Sequence, residues 1–299
     1  MNVSTRGSTF RVHDPRFADV LGDAPDLVRI AEVDAHEGPV YVAEEDALYF
    51  TTVRTESVSI KRLALADGAV SVLVEDANHA NGMVLDRSGK LVVCEQGSHE
   101  EPARISRLDR RTGERETVVD SIDGLPLSSP NDAVVHRDGT IWFTDPSYGR
   151  LQGFRPPPAV PDRVYRVDPS GRTSVAADGF DKPNGIALSL DQHVLYVADN
   201  GAPHHLLAFD VAEDGRLTGR RRLAVGTPGH PDGLKVDSSD RIYASARGGV
   251  RVLAPSGDLL GEIELPGTVN FTFGGPGGNV LYITTDTAVW AAVLNAKGA

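Results

Sequence analysis

The chain has 299 residues and a formal net charge of −12 at pH 7, from 30 Lys and Arg against 42 Asp and Glu. It contains no run of five or more basic residues, which excludes nucleic acid and anionic membrane surfaces as expected partners. No segment approaches the ~18 consecutive apolar residues of a membrane span, and the N-terminus lacks the apolar core of a signal peptide. These features predict a soluble cytoplasmic protein.

In chain order, residues 1–26 form a leader with at most a short helix around PRFADVL. From residue 27 onwards, short segments rich in Val, Ile, Leu, Tyr and Phe alternate with turns rich in Gly, Asp and Asn, which predicts strands joined by hairpins. One of these strands, LVVC, contains Cys94, the one cysteine of the chain, and we expect its side chain to be buried. Helix content should be low.

A polar residue followed by an apolar strand, a turn and a second strand recurs six times. The steps between these polar openers are 44, 50, 53, 48 and 38 residues, a range typical of four-stranded propeller blades. The sequence therefore predicts one all-β domain over residues 1–299, a six-bladed β-propeller with four antiparallel strands per blade. The openers are Glu37, Asn81, Asn131, Asn184, Asp232 and Asn270.

Ring closure follows from a count of strands. The chain from Asn270 onwards has room for three strands, NFTFGG, NVLYITT and AVWAAVL. The segment LVRIAEV at 27–33 precedes the first blade and has no partner of its own. We expect this N-terminal strand to close the last blade, which removes both edges of the ring.

If each opener begins an innermost strand, the next strand returns to the same face of the ring. The returning strands end at Glu95, Asp145 and Asp199, so these carboxylates should lie on the face of the openers. The longest connection on that face, residues 145–162, is Pro-rich and has no strand or helix pattern. We predict that it is a structureless lid or binding loop.

Four openers from different blades can approach one another near the axis: Glu37, Asn131, Asn184 and Asp232. Two carboxylates and two amides form an oxygen-only site that suits a hard dication. We expect Ca²⁺ before Mg²⁺ or Mn²⁺, and Zn²⁺ remains an alternative although it normally takes His or Cys ligands.

Several motifs together resemble the gluconolactonase and senescence-marker-protein (regucalcin-like) family of calcium-dependent six-bladed propeller lactonases. The resemblance covers residues 30–290, and that family also resembles diisopropylfluorophosphatase. It implies that Glu37, Asn131, Asn184 and Asp232 hold the metal, and that Asp232, or Asp145 in a similar role, is the general base. The motifs are EGP at 37–39, SPND at 129–132, FTDPSYG at 143–149, PNG at 183–185, LYVAD at 195–199 and PDGLKVD at 231–237.

A carboxylate bound to a metal is a weak base, so Asp199 is a third candidate for that role beside Asp232 and Asp145. Animal members of the family carry an arginine at the position of Ser129, where it contacts sugar hydroxyls, so the pocket of this chain is furnished differently. The predicted substrate-binding residues are Asn81, His79, His230, Ser129 and Tyr148.

The resulting prediction is a metal-dependent hydrolase that opens a small polar lactone, either an aldonolactone or a pantoyl-type lactone. The metal would polarise the carbonyl and a carboxylate would activate water. Alternatives are an organophosphate-ester hydrolase on the same site, a non-catalytic calcium-binding propeller, and a metal-free propeller like strictosidine synthase. We expect a monomer or a weak homo-oligomer.

Overall fold

The computed structural model describes residues 9–202, 204–225, 231–246 and 248–299. Within these ranges the chain forms six antiparallel blades. The innermost strands of successive blades contact one another in a closed ring, from the first blade through to the sixth and back to the first. The predicted all-β six-bladed propeller with four antiparallel strands per blade is confirmed.

The first three blades follow one another along the chain, each running from its innermost to its outermost strand. Their strands are β3 (Val40–Val42), β4 (Ala47–Thr51), β5 (Ile60–Ala64) and β6 (Val70–Val74); β7 (Ala80–Leu85), β8 (Leu91–Glu95), β9 (Arg104–Leu108) and β10 (Arg115–Val119); and β13 (Ala133–Val135), β14 (Ile141–Asp145), β15 (Arg163–Val167) and β16 (Thr173–Ala177). A two-stranded hairpin, β11 (Ser121–Ile122) and β12 (Leu125–Pro126), lies between the second and third blades.

The last three blades repeat the scheme. Their strands are β17 (Pro183–Leu188), β18 (Val194–Asp199), β19 (His205–Val211) and β20 (Leu217–Val225); β21 (Leu234–Val236), β22 (Ile242–Ala246), β23 (Gly249–Leu253) and β24 (Leu259–Glu264); and β25 (Phe271–Gly274), β26 (Val280–Thr284) and β27 (Ala288–Val293). The described helices are single turns: α1 (Ala18–Leu21), α2 (Tyr148–Leu151), and 3-10 turns at Pro15–Phe17 and Ala43–Glu45.

The outermost strand of the sixth blade comes from the N-terminal part of the chain. Strand β2 (Asp26–Glu32) pairs antiparallel with β27, with Asp26 opposite Val293 and Glu32 opposite Ala288. This confirms the predicted closure of the ring by the segment 27–33.

The described part of the leader is built into the propeller. The short helical turns fall at the predicted segment PRFADVL, and Phe17 and Val20 are fully buried against the fifth and sixth blades. Strand β1 (Phe10–Val12) adds a fifth strand to the fifth blade by pairing with β24. Strand β1 was not predicted from the sequence, because a three-residue strand carries no measurable alternation.

The hydrophobic core lies between the blades. Each second strand is covered on both faces by neighbouring blades, and all residues of β4, β8, β14 and β22 are buried. Cys94 lies within β8 and is fully buried, as predicted. No helix among the described residues is long and apolar enough to cross a membrane.

Candidate active site

Five of the six openers, all but Asn270, line a cavity of about 360 Å³. The four side chains predicted to hold a metal line this cavity together. Glu37, Asn131 and Asn184 are 3, 6 and 5% exposed. The described residues that line the cavity are His36, Glu37, Thr52, Val53, Arg54, Val58, His79, Ala80, Asn81, Gln96, Asn131, Tyr148, Gln152, Asn184, Asn200 and Asp232.

Hydroxyl groups at the ends of the second strands fix the openers of the next blade. The Thr51 Oγ1 donates to the carbonyl oxygen of Asn81 at 3.2 Å, and the Thr144 Oγ1 donates to that of Asn184 at 2.8 Å. These hydrogen bonds join neighbouring blades and hold the main chain of the openers, because the threonine side chain is short and restricts the position of the carbonyl group. The oxygen donors are therefore positioned before any ligand arrives.

The side chains of the openers leave oxygen atoms free. The Glu37 Oε2 accepts from Asn270 Nδ2 at 2.6 Å and from the Gly38 N–H at 3.1 Å, while its Oε1 has no hydrogen bond within the described chain. The side-chain amide of Asn131 likewise makes no hydrogen bond to any described residue, although it is nearly buried. Both side chains line the cavity, so the polar atoms that make no hydrogen bond within the described chain are available to a ligand or ion.

The electrostatics of the cavity favour a bound cation. Burial, and next the negative charge of Glu37, raise the pKa of Asp232 well above its usual value. Asn184 donates a hydrogen bond to Asp232 and so opposes that rise. Two carboxylates that disfavour each other's charge are stabilised by a cation between them.

The donor set fits a hard divalent cation. Two carboxylates and two amide oxygens face one space, and a flexible oxygen site with room for waters is the preference of Ca²⁺. The described residues contain no group of three or more His, Cys, Asp and Glu side chains that could hold a metal ion. A metal in this cavity would therefore depend on the amide oxygens of Asn131 and Asn184.

Asp145 and Asp199, two of the three predicted candidates for general base, do not line the cavity. The Asp145 carboxylate accepts from the backbone N–H groups of Ser129 at 2.7 Å and Ser128 at 2.9 Å. Asp199 accepts in the same way from the Lys182 N–H at 2.8 Å. Burial outweighs the backbone donors and raises the pKa of Asp145 to about 7. These carboxylates anchor the residues that precede the openers, so their assignment as bases is corrected.

Ser129 also lies outside the cavity, so its assignment as a substrate-binding residue is corrected. The Ser129 Oγ donates to the carbonyl oxygen of Pro146 at 2.6 Å and accepts from the Gly149 N–H at 2.9 Å. The side chain is fully buried. It fastens the start of the 145–162 loop to the third opener.

The 145–162 loop is ordered by specific contacts, and the prediction that it is structureless is wrong. It contains α2, and the Arg155 side chain, 7% exposed, donates to the carbonyl oxygens of Ser128 and Leu127, each at 3.0 Å. Tyr148 reaches the cavity, where its hydroxyl accepts from Asn184 Nδ2 at 3.3 Å. The loop thus forms one wall of the cavity, and Tyr148 is part of that wall.

His79 and Asn81, two further predicted substrate-binding residues, line the cavity on the side of the second blade. Asn78 and His79 both have a φ of 52°, an unusual left-handed pair, held because the Asn78 Nδ2 donates to Glu95 Oε2 at 3.1 Å. The His79 ring stacks on Phe154, and its buried Nδ1 has no hydrogen-bond partner in the described part of the chain. His230 lies outside the described residues.

Arg54 and Asn200 line the cavity without any assignment from the sequence, whereas His36, next to Glu37, was a candidate to hydrogen-bond substrate or take a proton. The His36 Nδ1 lies 2.6 Å from the Asp286 Oδ1, an ion-pair arrangement beside Glu37. Arg54 lies in a loop outside the repeated motif, and Asn200 follows the returning strand of the fourth blade. The position of His36 next to an opener was a usable signal; Arg54 and Asn200 had none.

Fold and cavity together define a six-bladed propeller with an oxygen-lined pocket at one end of its axis. Residues 35–287 match the model of the SMP-30/Gluconolactonase/LRE-like region. The chain therefore belongs to this family, in agreement with the resemblance drawn from its motifs.

Individual relatives agree with this placement. A gluconolactonase from Zymomonas mobilis is 31% identical over 289 residues, covering 88% of this chain and 79% of the relative. A gluconolactonase of solved structure from Xanthomonas campestris is 33% identical with a TM-score of 0.87, covering 98% of this chain and 97% of the other. A regucalcin from Agrobacterium tumefaciens, described as a calcium-binding protein, is 18% identical with a TM-score of 0.73, covering 94 and 95% of the two chains, and shows the fold alone.

Proposed function

We propose that this chain is a metal-dependent lactonase that opens a small polar lactone, an aldonolactone or a pantoyl-type lactone. The gluconolactonases among its relatives support the enzyme class, a lactone hydrolase. The main support for metal binding is that four side chains line one cavity and leave oxygen atoms without hydrogen bonds. They are Glu37, Asn131, Asn184 and Asp232.

The four side chains would hold a divalent cation, with Ca²⁺ first, and this ion would supply Lewis-acid polarisation of the lactone carbonyl. Glu37 and Asp232 would supply the negative charge of the site. Asn270 keeps Glu37 in one orientation through the 2.6 Å hydrogen bond. Asn81, Tyr148 and Asn200 offer hydrogen bonds to the hydroxyl groups of a polar substrate.

In the reaction, water adds to the carbonyl carbon while a base takes one proton, and the ring C–O bond then breaks and its oxygen is protonated. Asp232 remains the first candidate for the base, because the family resemblance assigns it that role and its side chain lines the cavity. His36 is the second candidate, because Asp286 holds its Nδ1 and leaves the other ring nitrogen available. Both can return a proton to the departing oxygen.

The proposal is tested by a pH-indicator assay with gluconolactone and pantoyl lactone, before and after EDTA treatment and with each of Ca²⁺, Mg²⁺, Mn²⁺ and Zn²⁺ added back. We expect EDTA to abolish hydrolysis and Ca²⁺ to restore it most fully. Glu37→Gln should lose both bound metal, measured by elemental analysis, and activity. Glu44→Gln, at an exposed carboxylate, is the matched control.

Each alternative has its own outcome in the same assay. Full activity in a protein shown to contain no metal would contradict the metal-dependent mechanism. Hydrolysis of organophosphate esters without any lactone hydrolysis would favour the ester-hydrolase alternative. Tight Ca²⁺ binding with no hydrolysis of either substrate class would favour a non-catalytic calcium-binding propeller.

A further inference from the structure

Among the described residues that line the cavity, Arg54 is the one Lys or Arg side chain. It follows β4 in the first blade and is only partly buried, whereas Glu37 and Asn184 are 3 and 5% exposed. Arg54 also lines a neighbouring cavity that none of the four proposed metal ligands lines, so these ligands lie at the other, deeper end of the active-site cavity. Arg54 lies nearer its mouth, beside the exposed Gln152.

Arg54 has no carboxylate within 4.0 Å in the described part of the chain. Its guanidinium donates to the neutral Oε1 of Gln152, and its central carbon lies 4.2 Å from the centroid of the Phe154 ring. Glu56 and Asp76 line a neighbouring cavity with Arg54, yet neither forms an ion pair with it. The positive charge at the mouth therefore has no direct counter-charge from the described residues.

The guanidinium is nonetheless held in place. Phe154 also stacks on His79, with 4.7 Å between ring centroids and 8° between their planes. The loop that carries Phe154 and Gln152 is tied down by the buried Arg155. Burial lowers the pKa of Arg54, which a guanidinium tolerates without losing its charge. A fixed planar fork of donors suits a group with two or three anionic oxygens.

The proposed metal end of the cavity would hold the carbonyl of the lactone, and Arg54 offers its unpaired positive charge to another part of the same substrate. We propose that the preferred lactone carries an anionic oxygen group, such as a carboxylate, phosphate or sulfonate, at the end remote from its carbonyl, and that Arg54 binds this group. In a six-membered sugar lactone that position is the exocyclic carbon. This inference rests on the proposed function for the placement of the carbonyl.

The test compares kcat/KM for glucono-1,5-lactone and for its 6-phosphate. We expect the wild type to prefer the phosphate, so that the kcat/KM for the 6-phosphate divided by that for the unsubstituted lactone exceeds one. Arg54→Gln should lower this ratio about 10- to 100-fold, the usual effect of losing a charge-assisted hydrogen-bonded pair. Arg54→Lys should lower the ratio less, because it keeps the charge and loses the fork. Arg150→Gln, at an exposed arginine in the same loop, should leave the ratio unchanged.

The dependence on ionic strength is a second test of the contact between Arg54 and the anionic group of the substrate. In the wild type, raising the ionic strength from about 0.05 M to about 0.5 M should lower the ratio, because screening weakens attraction between charges that solvent reaches. The 6-sulfo and 6-carboxylate lactones, assayed beside the phosphate, identify which anion is preferred. A preference for any of the three that depends on Arg54 supports the inference.

Other outcomes overturn it. If Arg54→Gln leaves the ratio and both kcat/KM values unchanged, Arg54 does not bind the anionic group. If kcat/KM falls equally for both lactones, Arg54 has a structural role in the loop. If no lactone is hydrolysed, the proposed function fails, and calorimetry with 6-phosphogluconate and gluconate still tests the inference. The affinity for 6-phosphogluconate, relative to that for gluconate, should then fall about 10- to 100-fold in Arg54→Gln. An equal loss of affinity for both compounds would overturn the inference.

Discussion

Replacement of Asp145 by alanine separates a structural carboxylate from a catalytic base. The side chain is fully buried, and its two oxygens accept from the N–H groups of Ser128 and Ser129. Asp145→Ala leaves both donors without an acceptor. An unsatisfied buried donor costs about 1–3 kcal/mol, so we expect a loss of about 2–5 kcal/mol in the free energy of unfolding. The melting temperature should fall by about 5–15 °C.

The measurement is urea-induced unfolding followed by tryptophan fluorescence, which reports on Trp142 in the same strand. Asp19→Ala, at an exposed carboxylate, is the control. The raised pKa of Asp145 adds a pH dependence: its contribution is present below the unfolded-state pKa near 3.9 and is lost as the pH rises through about 7. The loss in Asp145→Ala should therefore be larger at about pH 5 than at about pH 8.

This reasoning would be refuted if Asp145→Ala unfolded in urea with the same midpoint and slope as the wild type but lost most of its lactone hydrolysis. Removal of a general base typically lowers the rate by about 10²- to 10⁴-fold. A stable, correctly folded Asp145→Ala protein with a loss of that size would return Asp145 to the catalytic candidates.

Three further predictions concern the metal and the ring. Asn270→Ala should weaken Ca²⁺ binding in calorimetry, because the 2.6 Å bond that orients Glu37 is lost; unchanged affinity would remove Asn270 from the site. Phe17→Ala should lower the free energy of unfolding by about 3–5 kcal/mol, since the ring is fully buried, whereas exposed Val12→Ala should change it little. Deletion of residues 1–34 removes the strand that closes the sixth blade, and a melting temperature equal to that of the full chain would contradict the closure argument.

The repeat in the sequence was sufficient to predict the ring, because the openers recur at blade spacing and each begins or precedes an inner strand. It also predicted that openers from different blades face one cavity, since residues in equivalent positions of a ring converge on its axis. The repeat did not predict what Asp145 and Asp199 contact. A carboxylate at the end of a returning strand can turn toward the cavity or toward nearby backbone N–H groups, and the residue type is the same in both cases.

Two parts of the site lie outside any periodic signal. Arg54 belongs to a connection between β4 and β5, where loop conformation alone decides whether a side chain reaches the cavity. The contacts of Arg155 join segments far apart in the sequence, and no local pattern encodes them. The helical turn α2 is a single turn, too short for a hydrophobic period to be visible.

The pairing of β2 with β27 sets when the protein can finish folding. Residues at 26 and 293 meet in the sixth blade, so during synthesis the ring stays open until nearly the whole chain has left the ribosome. Such long-range contacts are formed late and slowly. The hydrogen bond from Asn270 to Glu37 joins the sixth blade, which β2 completes, to the first blade. Calcium binding would therefore also report that the ring has closed. In an open ring, Asn270 cannot hold the Glu37 carboxylate in the orientation that the closed ring shows.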